Sequence, residues 1–171
     1  MKKLVAGAAL AGACLALLCG CNDSSMPGKV LGMYKVVGQS TSNTCGLGAP
    51  SPWTFDVQLS QQGTTLYWSW LDGSPLLSGP LGSGSAASLK SSGTLNADST
   101  DAGLGPCNLE RDADLEVALA SGSPPPSFGG TIGYAFQASG GSDCRDQLTA
   151  SGGMFDALPC AVSYTVSATR Q

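Results

Sequence analysis

The chain has 171 residues, and its twelve acidic and eight basic residues give a formal net charge of −4 at neutral pH. This balance lacks the excess of lysine and arginine that binds phosphate backbones, so nucleic acid is excluded as a partner. Only 12% of the residues are charged, whereas glycine alone contributes 24 residues. This composition favours an all-β protein with many turns over a helical bundle, which needs charged and aliphatic residues at helical spacing.

The N-terminal segment has the pattern of an export signal. Two lysines precede an uncharged run over residues 4–18, which is shorter than the roughly 20 residues of a membrane-spanning helix. The run ends in the sequence LCGC at residues 18–21, with a leucine three positions and a glycine one position before the last cysteine. This pattern resembles the lipobox of bacterial lipoproteins. The resemblance implies a signal peptide over residues 1–20 and a mature chain that begins with an acylated Cys21.

The same resemblance predicts where the mature protein is attached. Two or three acyl chains on Cys21 would hold it to a membrane stably, because each buried methylene contributes about 0.8 kcal/mol. Asn22 follows where an aspartate would retain a lipoprotein in the inner membrane, so the outer membrane is favoured. The alternative is an ordinary secretory signal with Cys21 a plain thiol. Residues 21–32 are predicted to be a flexible tether, and residues 33–171 a single domain with no second apolar run.

Alternation of apolar and polar residues predicts a series of short antiparallel strands. The predicted strands are residues 34–40, 53–60, 65–71, 75–81, 86–95, 107–119, 128–139 and 161–168. Consecutive hairpins favour an up-and-down barrel, because closure removes the exposed strand edges, and the alternative is a two-sheet sandwich. The expected shape is similar to that of lipocalin and avidin barrels, although the chain has no signature motif of either family.

Four cysteines follow Cys21, and an even number in an exported chain indicates two disulfides. In an up-and-down barrel all four would lie at one end. The favoured pairing joins Cys45 to Cys160 and Cys107 to Cys144, and the alternative joins Cys45 to Cys107 and Cys144 to Cys160. A metal site is not expected, since the chain has no histidine and no closely spaced cysteine pair after Cys21. No cofactor is predicted.

Arg111 and three tryptophans are the candidate ligand-binding residues. Arg111 lies on the otherwise apolar face of its predicted strand, so it would either anchor a ligand in the barrel mouth or reach solvent. Trp53, Trp68 and Trp70 share one face of a predicted hairpin, where they would line a pocket or form core. Two acidic features, the opposite face of the Arg111 strand and residues 96–103, are expected to be a solvated surface and an ordinary turn rather than cation sites. The acidic face consists of Glu110, Asp112, Asp114 and Glu116.

Catalysis is not expected. The absence of histidine removes the Ser-His-Asp and Cys-His arrangements, and no nucleophile-elbow, serine–lysine or phosphate-loop motif is present. The sequence predicts a membrane-anchored lipoprotein of the cell envelope with a structural role or an interaction with protein or glycan. The alternative is a barrel that binds a small apolar ligand between Trp53, Trp68, Trp70, Phe136 and Tyr164. Such a binder needs a cavity of roughly 300 Å³ or more that opens to solvent.

Overall fold

The structure is a computed structural model that describes residues 26–46, 49–97 and 106–171. The predicted signal peptide, Cys21 and most of the predicted turn over residues 96–103 lie outside these ranges. No helix in the described part is long and apolar enough to cross a bilayer.

Within those ranges the chain forms eight strands in one antiparallel sheet. They are β1 (Lys29–Asn43), β2 (Trp53–Gln62), β3 (Thr65–Ser69), β4 (Leu77–Pro80), β5 (Ala86–Asn96), β6 (Asn108–Leu119), β7 (Ser127–Ala138) and β8 (Cys160–Arg170). The sheet order is β4-β3-β2-β1-β8-β7-β6-β5, so the first strand pairs with the last and every other pair is a hairpin. The up-and-down barrel is confirmed, and the sandwich alternative is wrong.

The barrel is nearly closed, and its seam lies between β4 and β5. Leu81, just after β4, pairs with Ala87 at the start of β5. Nearby, Gly79 approaches the Ser88 carbonyl so closely that a side chain would not fit. β4 has only four residues whereas β5 has eleven, so the later part of β5 runs past the end of its neighbour. In the described part of the chain, no strand pairs with that side of residues 91–96.

One end of the barrel is packed solid, and we call it the sealed end. Tyr34, Trp68 and Phe128 meet there, with ring centroids 5.3 Å apart for Tyr34 and Phe128 and 5.5 Å apart for Trp68 and Phe128. The Tyr34 hydroxyl donates a hydrogen bond of 2.8 Å to the Pro125 carbonyl, which ties the loop between β6 and β7 across this end. The apolar strand faces therefore form a continuous core in this half.

β1 is longer than the alternation predicts, because a bulge interrupts the period of two. Leu31 and Tyr34 both point into the core although they are three positions apart, and the strand register shifts between Val30 and Gly32. Lys29 already pairs with Gln61 of β2. The last four residues of the predicted tether are therefore part of the barrel wall.

The opposite end carries both disulfides, and we call it the mouth. Among the described cysteines, Cys45 is bonded to Cys160 and Cys107 to Cys144. The favoured pairing is thus confirmed, and the alternative pairing is wrong. The fully described connection between β7 and β8 lies at this end and contains two short 3-10 helices, Arg145–Gln147 and Thr149–Ser151.

Candidate functional site

Several inward-facing aromatic residues are only half-buried where the strands approach the mouth, whereas the aromatic residues of the sealed end are buried. Four half-buried rings, Trp53, Trp70, Tyr134 and Phe136, come from β2, β7 and the residue after β3, and we call them the aromatic collar. Trp53 stacks on Trp70 with ring centroids 5.9 Å apart and lies 5.1 Å from the buried ring of Tyr164. The collar marks the level at which the solid core ends.

Two cavities meet at the collar and share Trp53, Leu95, Tyr134 and Phe136 as a common wall. The first, the apolar lobe, has a volume of about 570 Å³ and lies beneath the disulfides. Its remaining lining is mainly apolar and includes Cys45, Ala49, Pro50, Leu109, Met154, Phe155, Val162 and Tyr164. Both lobes exceed the roughly 300 Å³ that a small-molecule site needs.

The second cavity, the polar lobe, has a volume of about 560 Å³ and opens at the seam beside β5. Its polar lining residues are Asp72, Ser74, Ser91, Ser92, Thr94 and Arg111. The polar lobe adds charged and hydroxyl groups next to the apolar lobe. The mouth therefore combines a large apolar wall with a few polar groups, which is typical of ligand sites.

Arg111 is the cation of the polar lobe. Its guanidinium carbon lies 5.9 Å from the centroid of the Tyr134 ring, which places the half-buried side chain on the inner face of β6. Gly93 lies directly opposite on β5, and a Cβ built there would meet no atom within 4 Å. Among the described residues, Arg111 has no carboxylate within ion-pair distance. The structure therefore places open space beside a half-buried positive charge.

Asp72 is the anion of the same lobe. The Ser74 backbone N–H donates a hydrogen bond of 2.9 Å to the Asp72 carboxylate. The hydrogen bonds from Ser74 lower the pKa of Asp72, and the positive charge of Arg111 lowers it further. Asp72 is therefore ionised near neutral pH, and the polar lobe holds one negative and one positive side chain.

Tyr134 keeps its proton at neutral pH. Burial raises the pKa of Tyr134 to about 12, and this effect outweighs the opposing effect of the Arg111 charge. The phenol is neutral wherever the protein would function, so Tyr134 contributes a ring face and a hydrogen-bonding hydroxyl rather than a charge.

The structure brings three of the four predicted ligand-binding residues together and separates the fourth. Trp53, Trp70 and Arg111 line the polar lobe. Trp68 is fully buried and lines neither lobe, so it belongs to the core. Its neighbour Trp70 falls beyond the last residue of β3, where the core has ended.

Sequence reasoning did not identify Asp72 or Phe155 as residues of the mouth. Asp72 lies in the connection after β3, and Phe155 lies in the long connection before β8, where it is buried against the disulfide cluster. The alternation of apolar and polar residues predicts which strand residues face inward, but it does not predict where the residues of a connection lie. The available signal was weak: Met154 and Phe155 are two adjacent large apolar residues in a mainly polar connection.

The acidic residues of β6 face away from the lobes' interior. Asp114 forms an exposed ion pair of 2.9 Å with Lys90, and Glu110 accepts a hydrogen bond of 2.7 Å from Gln137. No group of three or more potential metal ligands occurs in the described ranges. These contacts are those of a solvated outer wall.

Comparison of the chain with protein-family profiles, with curated proteins and with solved structures finds no match. The mouth is defined by its own chemistry. Its features are a large apolar lobe, a collar of aromatic rings, and a polar lobe with one cation and one anion.

Proposed function

We propose that the protein binds a small, mainly apolar molecule in the barrel mouth. The observation that supports this most directly is the apolar lobe, whose volume of about 570 Å³ lies within the range of small-molecule sites. The structural or interaction role that the sequence favoured does not by itself account for a cavity of this size.

The aromatic collar supports binding because it leaves ring surface facing an open cavity. Uncovered apolar surface forgoes about 25 cal/mol for each Å² that could be buried. A purely structural barrel would gain stability by filling the mouth with larger side chains, as it does at the sealed end. The lining instead includes Ala49 and Ala97 beside large rings, an arrangement that preserves space.

The proposal is one of binding without turnover. General acid–base catalysis works best with a group whose pKa lies near the operating pH. In the mouth, the pKa of Asp72 is lowered and that of Tyr134 is raised to about 12, so both move away from neutrality. These groups are suited to hold a ligand in one orientation.

We further propose that the barrel is fixed to the bacterial cell envelope through acyl chains on Cys21, as the lipobox resemblance implies. β1 begins at the sealed end, where Lys29 pairs with Gln61 next to the turn between β2 and β3. An anchor that precedes Lys29 would hold the sealed end towards the membrane. The mouth would then open to the aqueous side, where a ligand could enter.

A contact between the mouth and an envelope protein or glycan is the second candidate function. Four of the large apolar residues exposed in the described part lie around the mouth: Leu71, Leu76, Leu95 and Met154. An apolar rim of this kind suits a protein partner that covers the opening. Such a partner would deliver or receive the ligand in the primary proposal.

Fluorescence titration with N-phenyl-1-naphthylamine, a neutral apolar probe, tests the binding proposal. We expect saturable enhancement with the purified protein, and about tenfold weaker binding by the Trp53→Ala variant, because one wall of both lobes is lost. Thr54→Ala, which changes the exposed outer face of β2, is the matched control and should bind like the wild type. Absence of saturable binding by the folded wild type would overturn the proposal.

A further inference from the structure

We infer that the ligand is an amphiphile with a single carboxylate, which pairs with Arg111 in the polar lobe while its apolar body fills the apolar lobe. This inference rests on the proposed binding function and names the chemical class of the ligand. It is carried by the position of Arg111, by the seam beside β5, and by the wall that the two lobes share.

Arg111 has the geometry of an anchor for an anion. Its guanidinium is half-buried beside Tyr134, and among the residues that the structure describes it has no carboxylate within ion-pair distance. A charge that has lost part of its hydration gains most from an ionised partner. The planar guanidinium matches a carboxylate with two parallel hydrogen bonds, and Gly93 leaves the space opposite it open.

The seam supplies further hydrogen-bonding groups around that space. Ser74 and Ser91 line the polar lobe, and Ser91 pairs with the inward-facing Ala113. The side of β5 that runs past β4 has no strand partner within the described ranges, so its backbone groups are also open to a ligand. A carboxylate bound to Arg111 would have hydroxyl and backbone donors nearby.

Asp72 limits the charge of the ligand. It lines the same lobe and is ionised near neutral pH, since the hydrogen bonds from Ser74 lower its pKa. Arg111 is the only basic side chain among the described residues that line the lobe. The lobe offers one cation, which suits a group with a single negative charge, whereas a phosphate with two charges would lack a second cation and would lie near the exposed Asp72 carboxylate.

The shared wall allows the charged group and the apolar body to belong to one molecule. Trp53, Tyr134 and Phe136 line both lobes, so a ligand that fills the apolar lobe meets the polar lobe at the collar. The head at Arg111 would lie at the seam, and the body would lie beneath the disulfides. The ligand is therefore oriented by its charge and held by its apolar surface.

A matched pair of probes tests the inference: 11-(dansylamino)undecanoic acid and its methyl ester, which differ in head charge. We expect the wild type to bind the acid about tenfold more tightly than the ester, the gain of one charge-assisted pair. Arg111→Gln should bind both probes equally, and Arg111→Lys should keep part of the preference. Arg145→Gln removes an exposed arginine outside both lobes and should keep the whole preference.

The outcomes separate the two proposals. Equal binding of acid and ester by the wild type, together with tight binding of N-phenyl-1-naphthylamine, would overturn the carboxylate assignment and leave the apolar site intact. Failure of all three probes to bind would overturn the proposed function itself. In competition with the bound acid, dodecyl phosphate should displace it less effectively than dodecanoate, and the reverse order would overturn the assignment of a single charge.

Discussion

The two ends of the barrel are stabilised in different ways. The sealed end is held by packing, with Tyr34, Trp68 and Ile132 among its fully buried side chains. The mouth has a separate small cluster made of the four half-cystines with Leu109 and Phe155. Close packing consumes the interior volume, whereas a covalent bond fixes two strands without filling the space between them. The barrel can therefore keep a cavity at one end because the other end supplies the core.

The difference between the two ends also explains why two tryptophans with the same strand spacing have different burial. Trp68 and Trp70 are two residues apart and point to the same side of the sheet, with ring centroids 5.2 Å apart. Trp68 is covered by Phe128 and is fully buried, whereas Trp70 lines the polar lobe. Depth along the barrel axis, rather than residue type, decides whether a tryptophan forms core or faces the cavity.

The largest expected effect follows from removing a ring at the sealed end. Trp68→Ala should lower the free energy of unfolding by about 3–5 kcal/mol, because it leaves a cavity in close-packed core. Trp53→Ala should cost only about 1–2 kcal/mol, because its half-buried ring already faces open space. Urea unfolding followed by far-ultraviolet circular dichroism measures both. Equal losses for the two variants would contradict the division of the barrel into a packed end and an open end.

The second-largest effect is expected from removing a disulfide at the mouth. Replacing Cys107 and Cys144 by serine should lower the free energy of unfolding by about 2–4 kcal/mol, because it restores chain entropy to the unfolded state. The corresponding Cys45 and Cys160 variant should lose slightly more, because that bond spans 115 residues rather than 37.

Hydrogen exchange sharpens this prediction, because it reports each strand separately. Both double variants should lose protection at the mouth ends of β6 and β8 before the sealed end opens. If protection fell evenly along the whole length of these strands, the disulfides would not be specific supports of the mouth. A variant that keeps mouth protection and the full unfolding free energy would contradict their stabilising role.

The alternation of the strands favoured the meander and, through it, the observed disulfide pairing, although the sandwich and the second pairing fitted the same strands. Cys45 follows the first strand and Cys160 opens the last, so pairing of these strands brings the two cysteines together. The early start of β1 escaped prediction because its bulge near Gly32 breaks the period of two. A bulge is fixed by contacts across the sheet, which the local sequence does not contain.

The mouth was predictable only in part. Arg111 stood out because its strand neighbours two positions away are apolar, and the structure places it in the polar lobe. Asp72 and Phe155 lie in connections, and their approach to the cavity depends on how loops fold over the strand ends. The size of the lobes depends on the packing of all eight strands, which no single segment determines.

The smallest expected effect concerns how the unfolding free energy depends on pH through Tyr134 at the mouth. Burial raises the pKa of Tyr134 to about 12, from an ordinary value near 10, so the folded protein holds the phenolic proton more tightly than the unfolded chain. The resulting stability is complete below pH 10 or so and is lost as the pH rises towards about 12. Tyr134→Phe should therefore reduce the alkaline loss of unfolding free energy, by about 2 kcal/mol over that interval.

Urea unfolding at several pH values between about 9 and 12 measures this loss, since the slope against pH reports the difference in bound protons. Tyr67→Phe, which removes a phenol from the outer face of β3, is the matched control. Equal changes of slope in the two variants would show that the mouth does not shield Tyr134 from water. A change confined to Tyr134→Phe would instead mean that the collar keeps a dry wall although the cavity beside it is open, which is the property that an apolar ligand requires.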